Sequence, residues 1–125
     1  MPSSRALKLH RMPEYGQIWL ADLSPSHGTE PGKLRPVLIV QTAALLEAGH
    51  PSTLVIPLTT RLIDDAEPLR VRVAAGDRLR ETSDLLIDQL CAIDNRCFTE
   101  GPLMTCSPEL LDKVRGALRI VLDIG

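Results

Sequence analysis

The stretch HGTEPGKLRPVLIV, residues 27–40, brings together charged side chains that can act on a phosphodiester. Glu30 supplies a carboxylate, which can accept a proton from a hydroxyl. Arg35 supplies a guanidinium, whose N–H donors form a fork that holds phosphate. The glycine between them lets the chain fold back, so both groups can flank one phosphate. The pattern allows either acid–base cleavage or binding of a phosphodiester.

The same residues have a second interpretation, an exposed Glu–Arg pair that contributes little to stability. Composition alone favours this interpretation. The chain carries 14 Lys and Arg residues against 16 Asp and Glu, a formal net charge of -2. No broad basic field therefore marks the protein as a nucleic-acid binder, and any site for a polyanion must be local.

Other chemistries lack the residues that they need. The three histidines are isolated, with no pair at i,i+4 spacing, and there is no P-loop or Gly-rich dinucleotide motif. We therefore expect no metal and no cofactor. Three cysteines without a C-x-x-C pair favour reduced thiols in the cytoplasm. No apolar run approaches the roughly 18 residues that a membrane helix needs, so no membrane partner is expected.

The elements that must position the loop are mostly strands. Residues 16–23 alternate, with Trp19 on one face and Ile18 and Leu20 on the other. The segment LRVRV, residues 69–73, predicts a half-buried strand with Leu69, Val71 and Val73 inward. Further strands are predicted at 35–41, 52–60, 83–93 and around Leu103, with a loop at 24–34, a short helical turn at 42–50 and a turn-rich link at 94–102.

The chain ends in a predicted helix. Ser107 is a suitable N-cap, Pro108 suits the first helical position, and apolar residues from Leu110 to Leu122 recur at helical spacing. Short strands and one terminal helix predict a mainly β fold, a small barrel-like antiparallel sheet. Residues 14–125 are expected to form a single domain. Residues 1–13 are expected to be a flexible tail, with a basic arm that touches RNA as the alternative.

Four segments, taken in order, resemble the MazF/PemK toxins. In that family a glycine is followed two positions later by Glu and then, five positions on, by Arg-Pro, which Gly28, Glu30, Arg35 and Pro36 match without a gap. The segment VIPLTT is similar to the next strand and places Thr59 at the family's threonine. The segments SDLLIDQLCAIDNR and LDKVRGALRIVLDI match the later strand and the C-terminal helix.

The resemblance implies an SH3-like small barrel with a C-terminal helix and a homodimer. It also implies a metal-independent endoribonuclease that cuts single-stranded RNA by attack of the ribose 2′-OH, and a cognate acidic MazE-like antitoxin. Arg35 is then expected to stabilise the charge on the phosphorane, and Thr59 to donate a hydrogen bond to the same phosphate. Glu30 acts as the general base or orients Arg35. Because the attack needs the 2′-OH, DNA is expected to be inert.

The remaining candidate residues are expected to bind RNA. Asp88 and Gln89 can read bases, although a buried structural hydrogen bond is an equal alternative for each. Some PemK-like members carry His after the loop glycine, where this chain has Thr29, and Arg two positions before the Asp, where it has Leu86. An acid–base pair of that Arg with Asp88 is therefore not expected. The predicted RNA contacts also include residues of the loop and of the strand end: Gly28, Thr29, Lys33, Thr60 and Arg61.

Two other functions fit the same barrel. A toxin similar to CcdB binds and poisons a protein such as gyrase without catalysis, and a degenerate barrel serves only as an interaction module. The loop of glycine, Glu and Arg-Pro together with Thr59 discriminates, because a pure binder has no chemical reason to retain it.

Overall fold

Antiparallel strands make up most of the fold, as the sequence predicts. The computed structural model describes residues 12–24 and 33–125. The elements are the strands β1 (Gln17–Asp22), β2 (Leu34–Ile39), β3 (Ser52–Thr59), β4 (Arg70–Val73), β5 (Ser83–Leu86), β6 (Cys91–Asp94) and β7 (Phe98–Thr105), and the helices α1 (Ala43–Glu47) and α2 (Pro108–Leu122). Short 3-10 turns, Ile87–Gln89 and Asn95–Cys97, precede and follow β6. Most of the predicted tail over residues 1–13, and Gly28, Thr29 and Glu30 in the loop, lie outside the described residues.

The strands form one antiparallel sheet in the order β4-β5-β3-β2-β1-β7. β3 is long enough to have two partners on one side, because its first half pairs with β6 and its last two residues pair with β5. β6 and β7 follow each other in the chain, yet no ladder joins them within the described residues. The expected mainly β, barrel-like fold with a C-terminal helix is confirmed.

Both faces of the central strands are apolar, which explains why their sequences read as nearly continuous hydrophobic runs. Ile18, Leu38 and Ile56 point into the main core. Their neighbours Trp19 and Val37 point the other way, into a smaller cluster. This alternation confirms the predicted faces of the first strand, and it fixes the register, since a slip of one residue would exchange the two clusters.

α2 covers the main core and begins as predicted. The Ser107 side chain accepts a hydrogen bond of 3.1 Å from the Leu110 N–H, and Pro108 opens the helix. Its residues Val114 and Ala117 are buried and face this core. The apolar stripe ends before Leu122, which is 47% exposed, so the last turn extends beyond the sheet.

Three predictions about strands were wrong in part. The strand predicted over 83–93 is broken by the turn Ile87–Gln89, so that β5 and β6 pair with different parts of β3. Leu69, predicted to face inward, is 51% exposed, because β4 begins only at Arg70. The predicted turn-rich link at 94–102 contains the first half of β7. That strand starts at Phe98, because Phe98 pairs with Ala21 and packs edge-on against Trp19.

Two glycines should respond to substitution with opposite signs. A Cβ atom at Gly101 would collide with the ring of Trp19, which is buried, whereas one at Gly116 in α2 would meet nothing within 4 Å. We expect Gly101→Ala to lower the free energy of unfolding by about 1–3 kcal/mol through overpacking. Gly116→Ala should raise it by about 1 kcal/mol through helix propensity. Urea denaturation measures both, and a Gly101→Ala protein as stable as wild type would contradict the packing argument.

Candidate active site

The start of β2 and the end of β3 meet at one edge of the sheet. Their ladder pairs Leu38 with Ile56 and Val37 with Pro57. Continued by two residues, the same register places Arg35 across from Thr59. Since residues opposite each other point to the same face, the two side chains named by the sequence motif share one side of the sheet.

A cleft of about 520 Å³ opens at this point. Its walls come from the segment that leads into β2, from the end of β3 and from the start of β5. The lining residues are Lys33, Leu34, Arg35, Pro36, Leu58, Thr59, Thr60, Arg61 and Ser83. Five predicted site residues are therefore together: three cations and two hydroxyls border one space. An anion the size of a phosphate group is the ligand that this set favours.

Arg35 is the half-buried cation of the cleft. Its Nη1 donates a long hydrogen bond of 3.5 Å to the Leu58 carbonyl, which anchors the guanidinium to the neighbouring strand. Within the described residues it forms no salt bridge. A guanidinium carries five N–H donors, so most of its fork is available to a substrate.

Thr59 ends β3 with its hydroxyl already engaged as an acceptor. The Arg61 N–H donates a hydrogen bond of 3.2 Å to Thr59 Oγ1, which closes a short turn. A hydroxyl has one proton and two lone pairs, and this bond uses a lone pair only. Among the described residues the Thr59 hydroxyl proton therefore has no acceptor, and it can be donated to an anion in the cleft.

Asp84 is the functional candidate that the sequence analysis missed. Its side chain is 1% exposed, and its carboxylate accepts hydrogen bonds from Arg72 Nε at 2.6 Å, the Ile63 N–H at 3.0 Å and Arg70 Nη1 at 3.2 Å. These bonds fix the loop that follows Thr59. The signal present in the sequence was the alternation of Arg70 and Arg72 in LRVRV. Two arginines on one face of a half-buried strand need an acidic partner, which the neighbouring strand can supply. Ser83, which lines the cleft, was also missed.

Protonation of two aspartates should destabilise the fold in acid. Burial raises the pKa of Asp84, but the hydrogen bonds from Arg72, Ile63 and Arg70 outweigh it and leave the pKa below its usual value. Hydrogen bonds from Arg96 hold the pKa of Asp94 at about 2. Such carboxylates stabilise the fold fully above the unfolded pKa of about 3.9, and this stabilisation is lost as pH falls through the folded value.

We therefore expect the free energy of unfolding to fall between about pH 4 and pH 2. Urea denaturation at a series of pH values measures this slope. Asp84→Asn should be less stable at neutral pH and show a shallower loss in acid, because it has no proton to take up at that position. An unchanged slope in that variant would contradict the role given to Asp84.

Asp88 and Gln89 lie apart from the residues that line the cleft. Both are exposed, which rules out the buried structural hydrogen bond considered for each. Gln89 lines a second cleft of about 440 Å³, together with Pro57 and Cys91. Pro57 immediately precedes Leu58, which lines the first cleft, so the two clefts are neighbours along β3. Asp88 lines neither of them.

The described residues on either side of the predicted loop line these two clefts. Ser24, the last described residue before the gap, lines the second cleft, and Lys33, the first after it, lines the cleft with Arg35. The Leu23 N–H donates a hydrogen bond of 2.9 Å to the Lys33 carbonyl, so the two ends of the loop are held together. The positions of Gly28, Thr29 and Glu30 lie outside the described residues.

The described part of the chain also bears on two expectations about partners. Within residues 12–24 and 33–125 there is no group of three or more His, Cys, Asp or Glu side chains placed to hold a metal ion. In the same ranges no helix is long and apolar enough to cross a membrane.

The antiparallel, barrel-like sheet carries a cleft at the ends of two strands, and the cations and hydroxyls that border this cleft suit a phosphate group. The family model of the PemK-like, MazF-like toxins of type II toxin–antitoxin systems matches residues 14–122. The chain belongs to this family, as the four ordered segments of its sequence predicted.

Relatives with known names agree with this assignment. Endoribonuclease EndoA of Bacillus subtilis is 32% identical over 113 residues, which cover 87% of this chain and 93% of that protein. Among solved structures, MazE-MazF (Form-II) from Deinococcus radiodurans has a TM-score of 0.74 at 24% identity, covering 91% of this chain and 98% of that one. A mycobacterial endoribonuclease in complex with its cognate antitoxin has a TM-score of 0.69 at 23% identity, with coverages of 92% and 97%.

Proposed function

We propose that this toxin is an endoribonuclease that cuts single-stranded RNA at the cleft between β2 and β3. The observation that carries the proposal is the meeting of Arg35, Thr59 and Arg61 around one space of about 520 Å³ in a chain of this family. Guanidinium donors beside a hydroxyl are the groups that stabilise charge on a phosphate during cleavage. The relative from Bacillus subtilis, whose name is that of an endoribonuclease, supports the same reaction class.

The reaction proposed is attack of a ribose 2′-OH on the adjacent phosphorus. The new P–O bond closes a 2′,3′-cyclic phosphate, and the bond to the 5′ oxygen of the next nucleotide breaks. That oxygen takes up a proton from solvent and leaves as a 5′-OH, which balances the proton that the 2′-OH gives to the base. Arg35 stabilises the negative charge that builds up on the phosphorane oxygens, and Thr59 donates a hydrogen bond to one of them. Because these groups supply the charge stabilisation, the reaction is proposed to be independent of metal.

The general base is proposed to be Glu30. An arginine seldom gives up its proton, since the pKa of its side chain is above about 12. A free glutamate, with a pKa near 4.3, is ionised at neutral pH and ready to accept the 2′-OH proton. Glu30 lies outside the described residues, three positions before Lys33, which lines the cleft. If Glu30 only orients Arg35, Glu30→Gln should keep the pH profile of the wild type at reduced rate.

The RNA is proposed to extend from this cleft towards the second one. Lys33, Thr60 and Arg61 would contact phosphates, Gly28 and Thr29 would approach the backbone, and Gln89 would meet a base in the cleft that it shares with Pro57. The exposure of Asp88 leaves its carboxylate available to an RNA strand that passes β5.

The assembly proposed follows the family. The toxin acts in the cytoplasm as a homodimer, and an acidic MazE-like antitoxin inhibits it. The solved complexes of MazE with MazF and of a mycobacterial endoribonuclease with its antitoxin support such a partner. An acidic chain also suits a cleft lined by three cations. Light scattering of the purified toxin measures the dimer, and a monomeric mass at micromolar concentration would contradict it.

Cleavage in the absence of metal tests the reaction. The purified toxin is incubated with a long single-stranded RNA in excess EDTA, and the fragment ends are analysed by mass spectrometry. Fragments ending in a 2′,3′-cyclic phosphate and starting with a 5′-OH are expected. Intact RNA, with a protein such as gyrase trapped by the toxin, would instead support the poisoning of a protein target.

A further inference from the structure

The cleft is supported from behind by Asp84, a buried charge for which the cleavage chemistry has no direct use. Removing a carboxylate from water costs free energy that its ion pairs only partly return. An apolar or neutral residue at this buried position would avoid the cost of removing a charge from water. Asp84 is the second residue of β5, whose first residue, Ser83, lines the cleft. We therefore expect a functional reason for this buried charge.

The sheet places Asp84 directly beside the candidate catalytic threonine. Thr59 pairs with Asp84 across β3 and β5, and Asp84 pairs with Arg72 across β5 and β4. The three side chains thus form a row on one face of three adjacent strands, with spacings near 4.8 Å. Arg35 continues this row on β2 by the register described above.

A chain of hydrogen bonds links the carboxylate to the threonine hydroxyl. Arg70 Nη1 lies 3.2 Å from Asp84 Oδ2, and the same nitrogen donates to the Arg61 carbonyl at 2.7 Å. The Arg61 N–H in turn donates to Thr59 Oγ1. Both peptide groups of Arg61 are therefore held, which fixes the turn after Thr59 and the acceptor side of the Thr59 hydroxyl.

A second anchor holds the loop two residues further on. The Ile63 N–H donates to Asp84 Oδ2 at 3.0 Å, and Arg72 Nη2 donates to the Ile63 carbonyl at 3.2 Å. The Asp84 carboxylate thus contacts both arginines and the loop backbone, and no buried polar side-chain atom in the described residues is left without a partner. A network satisfied in this way is rigid, which is the property that a catalytic loop needs.

We propose that Asp84 is a positioning residue for RNA cleavage, acting through Arg70 and the Arg61 peptide to keep the Thr59 hydroxyl in its donating orientation. This inference rests on the proposed function of the cleft. Without the carboxylate, Arg70 loses the anchor that holds it against the Arg61 carbonyl, the turn after Thr59 loosens, and the hydroxyl proton is no longer directed at the phosphate. Substrate binding through Lys33 and Arg35 does not depend on this chain of contacts.

Steady-state kinetics with a short RNA that contains one cleavage site tests the proposal. Asp84→Asn should lower kcat by about 10- to 100-fold, the loss expected for a misplaced catalytic group, and change KM less than about twofold. Asp64→Asn is the matched control, because the Asp64 carboxylate pairs with Arg72 at 3.0 Å but, among the described residues, accepts no hydrogen bond from Arg70 or from the Ile63 N–H. It should cleave as wild type does.

A double-mutant cycle separates positioning from general damage to the fold. If Asp84 acts through the Thr59 hydroxyl, adding Asp84→Asn to Thr59→Ala should leave kcat within about twofold of the single Thr59→Ala variant. If instead the kcat of the double variant is reduced by the product of the two single losses, the proposal is overturned. Hydrogen exchange of the Arg61 amide gives a readout without RNA: it should be faster in Asp84→Asn and unchanged in Asp64→Asn.

Arg70→Met covers the case in which Asp84→Asn does not fold. It removes the contact with the Arg61 carbonyl but leaves the hydrogen bonds of Asp84 with Arg72 and Ile63, and the same loss of kcat is expected. A folded variant, Asp84→Asn or Arg70→Met, with the kcat of wild type would overturn the inference. Wild-type toxin in the same assay separates the role of Asp84 from the proposed RNA cleavage itself. If the wild type does not cut RNA, the proposed function is refuted rather than the role of Asp84.

Discussion

Replacing Arg35 by Ala should reduce RNA cleavage by about 10³-fold or more while the protein stays folded. The reduction follows from the loss of a charged donor at the phosphorane, where removal of a single neutral donor already costs about 10²–10³ in rate. Folding should survive, because Arg35 is only half-buried and makes one long hydrogen bond, to Leu58, among the described residues. Cleavage is measured with a fluorescent single-site RNA, and folding by circular dichroism and urea denaturation.

Arg61→Ala is the matched control for this experiment. Arg61 lines the same cleft and carries the same charge, but its side chain sits on the loop beyond Thr59 rather than on β2. We expect it to raise KM by an amount consistent with one phosphate contact and to change kcat much less. If Arg35→Ala and Arg61→Ala behave alike, Arg35 contributes charge to binding only, and its role at the phosphorane is wrong. A folded Arg35→Ala protein that cuts RNA at the wild-type rate would refute the site altogether.

The parts of the fold that local sequence determines were predicted well. The alternation around Trp19 predicted β1 and its two faces, and Ser107 with Pro108 predicted the start of α2, because strand period and helix caps depend on near neighbours. The break between β5 and β6 was missed for the opposite reason. The run from Ser83 to Ile93 is apolar enough to predict one strand, and only its two different pairings along β3 divide it.

In the candidate site, too, features that depend on pairing between distant strands could not be predicted from the sequence. The order of motifs predicted that Arg35 and Thr59 belong together, and the cleft between β2 and β3 brings them together. Asp84 was missed because its importance depends on pairing with Thr59 and Arg72 across three strands, and no residue near it in sequence reveals those pairings. For Gln89 the sequence left an RNA contact and a buried hydrogen bond open. The residue is exposed and lies outside the cleft of Arg35, because it sits on a turn that the sequence did not predict. The roles of these residues stay predictions.

A single 2′-deoxy nucleotide at the scissile position should abolish cleavage of an otherwise intact RNA. In the mechanism proposed here the nucleophile is the substrate's own 2′-OH, so removing that oxygen removes the reaction, whatever the protein contributes at the cleft. The loss should be complete within detection. Binding should change little, because the phosphate that Arg35, Thr59 and the other cleft residues are proposed to contact is still present.

The position of the substitution makes this test decisive. Moving the deoxy nucleotide to the next position, on the 3′ side of the scissile phosphate, leaves the attacking hydroxyl in place, and cleavage should continue at a similar rate. If the toxin still cuts the RNA that is deoxy at the scissile position, a water molecule must be the nucleophile. The products would then carry a simple phosphate, and Glu30 would have to activate water instead of a ribose hydroxyl. Arg35 and Thr59 would keep their roles at the phosphate in that case, so the experiment separates the identity of the nucleophile from the groups that stabilise the charge.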